Sequence, residues 1–240
     1  MTCAAVILAR GGSKGLPGKN TATVGGRPCI AWTIDAAKRS ELVEQVWVSS
    51  DDQEAMVIAR TMGVGVIERP SELAGDRAMV DEAARHAFAE FDQTVDTVVI
   101  LYGNVPIRPD DLIDRAIRML KRSGCDSVQS YALVGKHHPW WTARVDVSDG
   151  QVHPWEGDAL NHGVFRRQDL PSACIPDGGV IVCTVDALML RLDVEEGPHA
   201  FFGRDRRGVM TGEGEVIDID TRIDQIVADA LLREREGVSI

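Results

Sequence analysis

Short apolar runs alternate with longer amphipathic segments through the first half of the chain. Runs such as residues 4–8 are continuous, which is typical of buried strands, and the segments between them repeat their apolar residues with a helical period. The predicted strands lie at residues 4–8, 45–50, 64–67, 97–101 and 127–133, and the predicted helices lie at residues 30–40, 53–62, 79–91 and 110–122. This alternation predicts an α/β fold with a doubly wound, mostly parallel sheet.

The pattern changes near residue 135. The stretch from there to about residue 178 is rich in aromatic and turn residues and has little period. Strand character returns at residues 179–185 and 216–220, and a helix is predicted from there through residue 235. We therefore predict a single domain over residues 1–240 with an irregular insertion at about residues 135–178.

A glycine-rich, cationic loop follows the first predicted strand. Its four glycines let the backbone turn tightly and bring N–H groups close to a ligand, and its three cations lie within ten residues. In doubly wound sheets, ligands gather at the carboxyl ends of the strands. The loop is therefore predicted to bind a polyphosphate rather than to be a solvated basic turn. The nucleotide-binding residues predicted here are Ala9, Arg10, Gly11, Gly12, Ser13, Lys14, Lys19 and Asn20.

The two most familiar phosphate-loop patterns do not fit this loop. A Walker A loop needs Ser or Thr after Gly-Lys, but Asn20 follows Gly18-Lys19, and Ser13 stands where the first glycine is required. The dinucleotide fingerprint fails because Gly11 and Gly12 are adjacent. The loop therefore belongs to another class of nucleotide site.

Two aspartates near the end of the chain are candidate metal ligands. Asp218 and Asp220 alternate with apolar residues, so in a strand their side chains would share one face. Carboxylate oxygens and a triphosphate are what Mg²⁺ prefers. From the spacing alone, a polar strand face leading into a helix cap at Thr221 is an equally good interpretation.

These motifs together resemble the sugar-activating cytidylyltransferases, and most closely their acylneuraminate branch. The resemblance implies that Asp218 and Asp220 bind the metal, because Asp218-Ile219-Asp220-Thr221 matches the family's metal-binding segment. It also implies that Arg69, in Arg69-Pro70, contacts the nucleotide. Further similar segments lie at residues 10–20, 48–52, 73–76 and 166–171, so the resemblance extends from residue 4 to about residue 224.

The segment after the strand predicted at residues 97–101 is the main departure from the family pattern, and Asp177-Gly178-Gly179 in place of the usual Asn-Gly-Ala is a second one. Where acylneuraminate enzymes usually have Gln-Pro-Thr-Ser-Pro-Leu-Arg after a central strand, this chain has residues 102–108, which keep only the second proline and the arginine. The main departure lies where the family binds its acceptor sugar, so we expect N-acetylneuraminate to be a poor acceptor relative to a related acidic sugar. The acceptor-binding candidates are Tyr102 and Asn104, with Arg166 and Arg167 as candidate partners for an acceptor carboxylate.

The resemblance implies transfer of CMP from CTP to an acidic, nonulosonate-type sugar, with release of pyrophosphate. Lys14, Lys19 and Arg10 are the predicted catalytic residues, which would hold the phosphates and neutralise growing negative charge. Mg²⁺ is the expected cofactor, with Mn²⁺ as a substitute. The family also implies a homodimer, with residues 135–178 as the interface candidate.

The net charge, the apolar runs and the cysteines of the chain limit which partners it can bind and where in the cell it is expected. The net charge of −11 disfavours nonspecific binding to nucleic acid or to an anionic membrane. No apolar run approaches the length of a membrane span, and no signal-peptide pattern precedes the first strand. Five scattered cysteines, without a C-x-x-C pair, favour a reducing cytoplasm over a disulfide framework or a structural zinc site.

Three other functions remain as alternatives. A nucleotidylyltransferase could use another base, or another acceptor such as a phosphonate or sugar phosphate. A noncatalytic nucleotide-binding protein of the same fold would not need to keep the two aspartates and the loop lysines. A glycosyltransferase with a related sheet would usually carry its Asp-x-Asp motif after a central strand, where this chain has Tyr102-Gly103-Asn104.

Overall fold

The first strand runs through the middle of a seven-stranded sheet. Every residue of Cys3–Leu8 is buried. The strand pairs in parallel with a neighbour on each side, Gln45–Ser50 and Thr97–Tyr102. A strand covered on both faces needs apolar side chains on both, which explains the continuous apolar run in the sequence.

The computed structural model describes residues 2–91, 94–195, 197–235 and 237. It divides into two units. The core unit comprises Met1–Tyr131 and Asp177–Ile240, and the insertion unit comprises Ala132–Pro176.

The secondary structure alternates along the chain. The strands are β1 (Cys3–Leu8), β2 (Thr23–Val24), β3 (Arg27–Pro28), β4 (Gln45–Ser50), β5 (Gly65–Glu68), β6 (Thr97–Tyr102), β7 (Ser127–Leu133), β8 (Ala143–Val145), β9 (Val152–Pro154), β10 (Cys174–Thr184) and β11 (Arg206–Met210). The helices are α1 (Cys29–Arg39), α2 (Gln53–Thr61), α3 (Val80–Ala89), α4 (Leu112–Ser123), α5 (Val185–Leu188) and α6 (Arg222–Arg235).

The large sheet has the strand order β11-β7-β10-β6-β1-β4-β5. The pairs β1–β4, β1–β6, β4–β5 and β7–β11 are parallel, whereas β10 runs antiparallel to β6. Apolar residues of α1, α2 and α4 pack with one face of the sheet, and those of α3 and α5 pack with the other. The predicted α/β fold with a doubly wound, mostly parallel sheet is confirmed.

The structure differs from the predicted elements at several places, and three of them concern the large sheet and residues 216–220. Residues 216–220 do not form a strand, because only one bridge, Ile107 to Ile217, joins them to another segment. Strand β11 was not predicted, because an edge strand with two arginines and a glycine shows no apolar period. Strand β10 begins at Cys174 rather than at residue 179, because its exposed first residues lack an apolar pattern.

Candidate active site

The backbone after β1 is anchored to the end of β4. Ser50 Oγ donates a 2.5 Å hydrogen bond to the Ala9 carbonyl, and Gly11 N donates a 2.8 Å hydrogen bond to Asp51 Oδ1. Because the strands are parallel, their carboxyl ends meet at one edge of the sheet. The glycine loop is therefore held at that edge by polar groups that follow the neighbouring strand.

The three loop cations contact two carboxylates from distant parts of the chain. Lys14 Nζ lies 2.6 Å from Asp76 Oδ2, and Arg10 Nη1 lies 3.5 Å from Asp76 Oδ1. Lys19 Nζ lies 2.6 Å from Asp220 Oδ1. These residues, with Ser13 and Gly15, line a cavity of about 340 Å³, which we call the loop cavity. The cations predicted to hold phosphates thus border one space together with Asp220.

Gly15 touches the aspartate segment through its backbone. A Cβ atom added at Gly15 would lie 2.5 Å from the Asp220 carbonyl oxygen, which is shorter than real contacts of this kind. A Cβ atom added at Gly12 would meet nothing within 4 Å. The absence of a side chain at Gly15 therefore permits the loop to approach the Asp220 backbone closely, whereas Gly12 borders open space.

Gly15→Ala is expected to lower the free energy of unfolding by about 1–3 kcal/mol, because the methyl group must displace the Asp220 backbone. Gly12→Ala is the matched control and should leave that free energy unchanged or slightly raised. Urea unfolding of both variants measures the difference. Equal unfolding free energies for the two variants would contradict the close approach of Gly15 to Asp220.

Asp218 and Asp220 project from an extended segment that lies next to the residues following β6, without joining the sheet. Ile219 N donates a 2.8 Å hydrogen bond to the Asn104 carbonyl, and Asn104 Nδ2 donates a 3.1 Å hydrogen bond to the Ile219 carbonyl. Ile219 is buried, and the aspartates on either side of it are exposed. The predicted alternation of side chains is therefore present although the predicted strand is not.

The helix cap considered as the alternative also exists. Thr221 N and Asp220 N both donate to Asp224 Oδ2, at 2.7 and 3.1 Å, and Asp224 N donates to Thr221 Oγ1 at 3.3 Å. This reciprocal cap begins α6 and holds the backbone of Asp220. Capping at Thr221 therefore does not compete with a ligand role for the aspartates, because it uses other side chains.

The aspartate pair has the chemistry of a partial Mg²⁺ site. Partial desolvation, and then the negative charge of Asp220, raise the pKa of Asp218, so a cation would relieve this repulsion. Within the described residues, no group of three or more His, Cys, Asp or Glu side chains could hold a metal ion. Mg²⁺ is commonly held by one or two carboxylates plus substrate phosphates and water, so the two aspartates fit that ion.

A second cavity, of about 240 Å³, adjoins the first through shared lining residues. We call it the inner cavity. Arg10, Lys19 and Asp76 line both cavities. The inner cavity also has an apolar wall that includes Leu73, Met79, Val80 and Ala83, and the predicted site residues in its lining are Arg10, Lys19, Asn20, Arg69, Tyr102 and Asn104. A charged cavity next to a half-apolar one suits a triphosphate joined to a nucleoside.

Arg69 is a buried cation in the inner cavity. Its Nε donates to Ser49 Oγ at 3.1 Å, and Nη2 donates to the Ser49 carbonyl at 2.7 Å. Burial lowers the pKa of Arg69 to about 10, against the opposing charge of Asp51. The guanidinium remains charged at neutral pH and is held in one position, which suits directional hydrogen bonding to a ligand.

Asn20 is buried at the junction of the loop and β6. Its Nδ2 donates a 2.8 Å hydrogen bond to the Arg10 carbonyl, while its buried Oδ1 has no hydrogen-bond partner. A Cβ atom on Gly103 would lie 2.8 Å from that oxygen, so glycine is needed there. An unsatisfied buried acceptor costs free energy, and a donor from a bound ligand could satisfy it.

The acceptor-binding candidates fall in different units. Tyr102 and Asn104 lie in the core unit, and burial raises the pKa of the Tyr102 hydroxyl. Arg166 and Arg167 lie in the insertion unit, where a short 3₁₀ helix begins at Arg167. The role of the two arginines stays a prediction.

The sequence did not indicate a role for Asp51 or for Asp76, and it did not predict that Asn104 contacts Ile219. Asp51 binds the glycine loop, Asp76 pairs with two loop cations, and Asn104 supports the aspartate segment. The position of Asp76 shortly after Arg69-Pro70 was the available signal, because it lies in a matched motif.

Comparison with known proteins identifies related sequences and folds. The cytidylyltransferase family profile matches residues 4–143. The N-acylneuraminate cytidylyltransferase of Oncorhynchus mykiss is 31% identical over 226 residues, which cover 94% of this chain and 49% of that protein. The enzyme of the same name from Streptococcus agalactiae serotype V is 28% identical over 240 residues, which cover 97% of this chain and 55% of that protein. The chain thus spans about half the length of these curated relatives.

Two solved structures share the fold. CMP:2-keto-3-deoxy-manno-octonic acid synthetase complexed with CTP has a TM-score of 0.73 and 17% identity, covering 98% of this chain and all of that one. A putative glucose-1-phosphate thymidylyltransferase from Bacillus anthracis has a TM-score of 0.63 and 13% identity, and the match covers 97% of this chain and 96% of that one. The profile match covers more than half of the chain and includes the glycine loop, Arg69 and Asn104. The chain belongs to the cytidylyltransferase family.

Proposed function

We propose that this chain transfers the cytidylyl group of CTP to a hydroxyl of an acidic, nonulosonate-type sugar. The observation that carries the proposal is the loop cavity, where Arg10, Lys14 and Lys19 border one space with Asp220. The inner cavity next to it offers Arg69 and an apolar wall to the nucleoside. The names of the curated relatives support CTP as donor and an acylneuraminate-like acid as acceptor.

In the proposed reaction one bond to the α-phosphorus forms and another breaks. The acceptor hydroxyl oxygen attacks that phosphorus in line and releases its proton to water, the bond to the bridging oxygen breaks, and pyrophosphate leaves with that oxygen. Lys14, Lys19 and Arg10 hold the phosphates and stabilise the negative charge that develops on the leaving group. Arg69 and Asn20 hold the nucleoside, so the reacting atoms meet in a fixed geometry.

Asp218 and Asp220 would hold Mg²⁺, with Mn²⁺ as a substitute. The bound ion would supply positive charge to the phosphate oxygens. The 2.6 Å contact between Lys19 and Asp220 supports the proposal that this cation and this carboxylate act on neighbouring parts of the same triphosphate.

We also propose that the insertion unit is the surface of a homodimer. Many of its large apolar side chains are exposed, and Phe165 is 80% exposed. Exposed apolar residues gathered in one small unit favour a protein interface. The members of this set are Leu133, Val145, Val147, Val152, Trp155, Leu160, Phe165 and Ile175.

A cytoplasmic location fits the thiol chemistry. Cys3, Cys29, Cys125 and Cys183 are buried, and burial raises the pKa of Cys3, Cys29 and Cys183 to about 12. Such thiols are inert structural groups that need no oxidising compartment.

None of the described helices is both long and apolar enough to span a membrane.

Pyrophosphate release, measured with each of the four nucleoside triphosphates and a panel of eight- and nine-carbon ulosonates, tests the function. We expect CTP to be preferred and N-acetylneuraminate to be a poor acceptor relative to another acidic sugar. The reason is that Tyr102 and Asn104 stand where the family presents other polar groups, and an unpaired acceptor hydroxyl costs about 1–3 kcal/mol. Release that does not depend on an acidic sugar would contradict the acceptor class, and equal use of another triphosphate would contradict the base.

A further inference from the structure

Asp76 contacts two of the loop cations, Arg10 and Lys14, yet it has no role in the proposed reaction. It comes from the turn after the short 3₁₀ helix Ser71–Leu73, far in sequence from the glycine loop. Its side chain is 47% exposed and lines both cavities. Beside it, Arg10 Nη1 donates a 2.8 Å hydrogen bond to the Gly75 carbonyl. The turn that carries Asp76 is thus joined to the loop by two cations.

A carboxylate and a phosphate compete for the same donors. Ammonium and guanidinium groups donate charge-assisted hydrogen bonds to either anion. The hydrogen bond from Lys14 lowers the pKa of Asp76, so the carboxyl is fully ionised at neutral pH. A triphosphate that uses Lys14 must take that lysine from Asp76 and must also lie near a like charge.

The two ion pairs at the loop differ in how easily they can exchange. The Lys14 side chain is 84% exposed, whereas the Lys19 side chain, which pairs with Asp220, is only 16% exposed. An exposed pair is screened by water and contributes little free energy, so another anion can replace its carboxylate. The pair of Lys14 with Asp76 is therefore the exchangeable one.

We propose that Asp76 is a competing counter-ion that pairs with Lys14 and Arg10 and weakens the binding of CTP and of pyrophosphate at the loop cavity. This inference rests on the proposed function, because it requires a polyphosphate ligand there. When pyrophosphate leaves, Asp76 takes its place beside Lys14 and Arg10. The residue would thus limit product inhibition at some loss of affinity for the substrate.

Asp76→Asn tests the proposal, because it keeps the shape of the side chain and removes its charge. Isothermal titration of the full chain, at fixed Mg²⁺ and ionic strength, gives Kd for CTP and for inorganic pyrophosphate. We expect both Kd values to fall about two- to fivefold, the range for an exposed ion pair. Pyrophosphate should also inhibit the variant at correspondingly lower concentration.

Glu72→Gln is the matched control. It removes the same charge from an exposed side chain of the same segment and should leave both Kd values unchanged. Asp76→Ser takes the place of Asp76→Asn if thermal unfolding shows that the latter does not fold.

Three results would overturn the inference. Unchanged or higher Kd values in the Asp76 variant would show that Asp76 does not compete with the ligand. An equal gain in Glu72→Gln would assign the effect to net charge alone. Binding of neither CTP nor pyrophosphate to the unmodified chain would overturn the proposed function itself, and the inference with it.

Discussion

Asp220→Asn is expected to lower kcat at least about 100-fold, the scale of losing a preorganised electrostatic group. Asp220 and Asp218 are the exposed carboxylates on either side of the buried Ile219, next to the loop cavity. An amide in place of Asp220 leaves one carboxylate for Mg²⁺. It also releases Lys19 from its 2.6 Å contact, so CTP should still bind.

Steady-state kinetics with CTP and the best acidic acceptor, together with titration of CTP, separates these two effects. Glu234→Gln, which removes the same charge from an exposed position of α6, is the control and should keep the unmodified kcat. The same reasoning requires a divalent cation for turnover. Full activity in excess chelator, or an unmodified kcat in Asp220→Asn, would remove the metal site from the mechanism.

Lys19→Ala is expected to cost about 2–4 kcal/mol in kcat/KM, the range for one preorganised donor to developing charge. Lys19 lines both cavities, and its side chain is 16% exposed, so water screens its charge weakly. Lys14→Ala should cost less, because the Lys14 side chain is 84% exposed. The order of the two losses therefore follows from burial rather than from charge, which is the same in both.

Measurement of kcat/KM and of the Kd for CTP in both variants checks this order. Lys38→Ala is the control: Lys38 Nζ donates to the Met62 carbonyl, at the end of α2, and neither cavity includes it. Unmodified affinity and rate in Lys19→Ala would mean that the loop is only structural. A larger loss in Lys14→Ala than in Lys19→Ala would contradict the argument from burial.

The alternation of strands and helices could be predicted because local pattern and burial agree in the core unit. Strands β4 and β7 have the predicted bounds, and α1, α2 and α4 lie within two residues of theirs. Their apolar residues form short runs or helical stripes, bounded by glycine, proline or polar residues. The edge strand β11 was not predicted because four of its five residues are exposed and its sequence shows no apolar period.

The aspartate segment shows a limit of periodic patterns. The alternation at Asp218, Ile219 and Asp220 correctly separates buried from exposed side chains, yet it does not specify a strand. Ile219 is held by Asn104, through one hydrogen bond to the Asn104 carbonyl and one from its side-chain amide. Alternation requires only an extended backbone, whereas a strand requires a partner ladder that other parts of the chain must supply.

The sequence by itself determined which charged groups the candidate site contains: a glycine-rich loop with three cations after a buried strand, and two aspartates before a helix. These features depend on residues close together along the chain. Only the tertiary structure decided which charges meet, as when Lys14 pairs with Asp76, Lys19 pairs with Asp220, and Gly15 lies against the Asp220 carbonyl. Such contacts join residues far apart along the chain, and Lys19 and Asp220 are separated by 201 positions. Their geometry depends on how the parallel strands bring their carboxyl ends to one edge of the sheet.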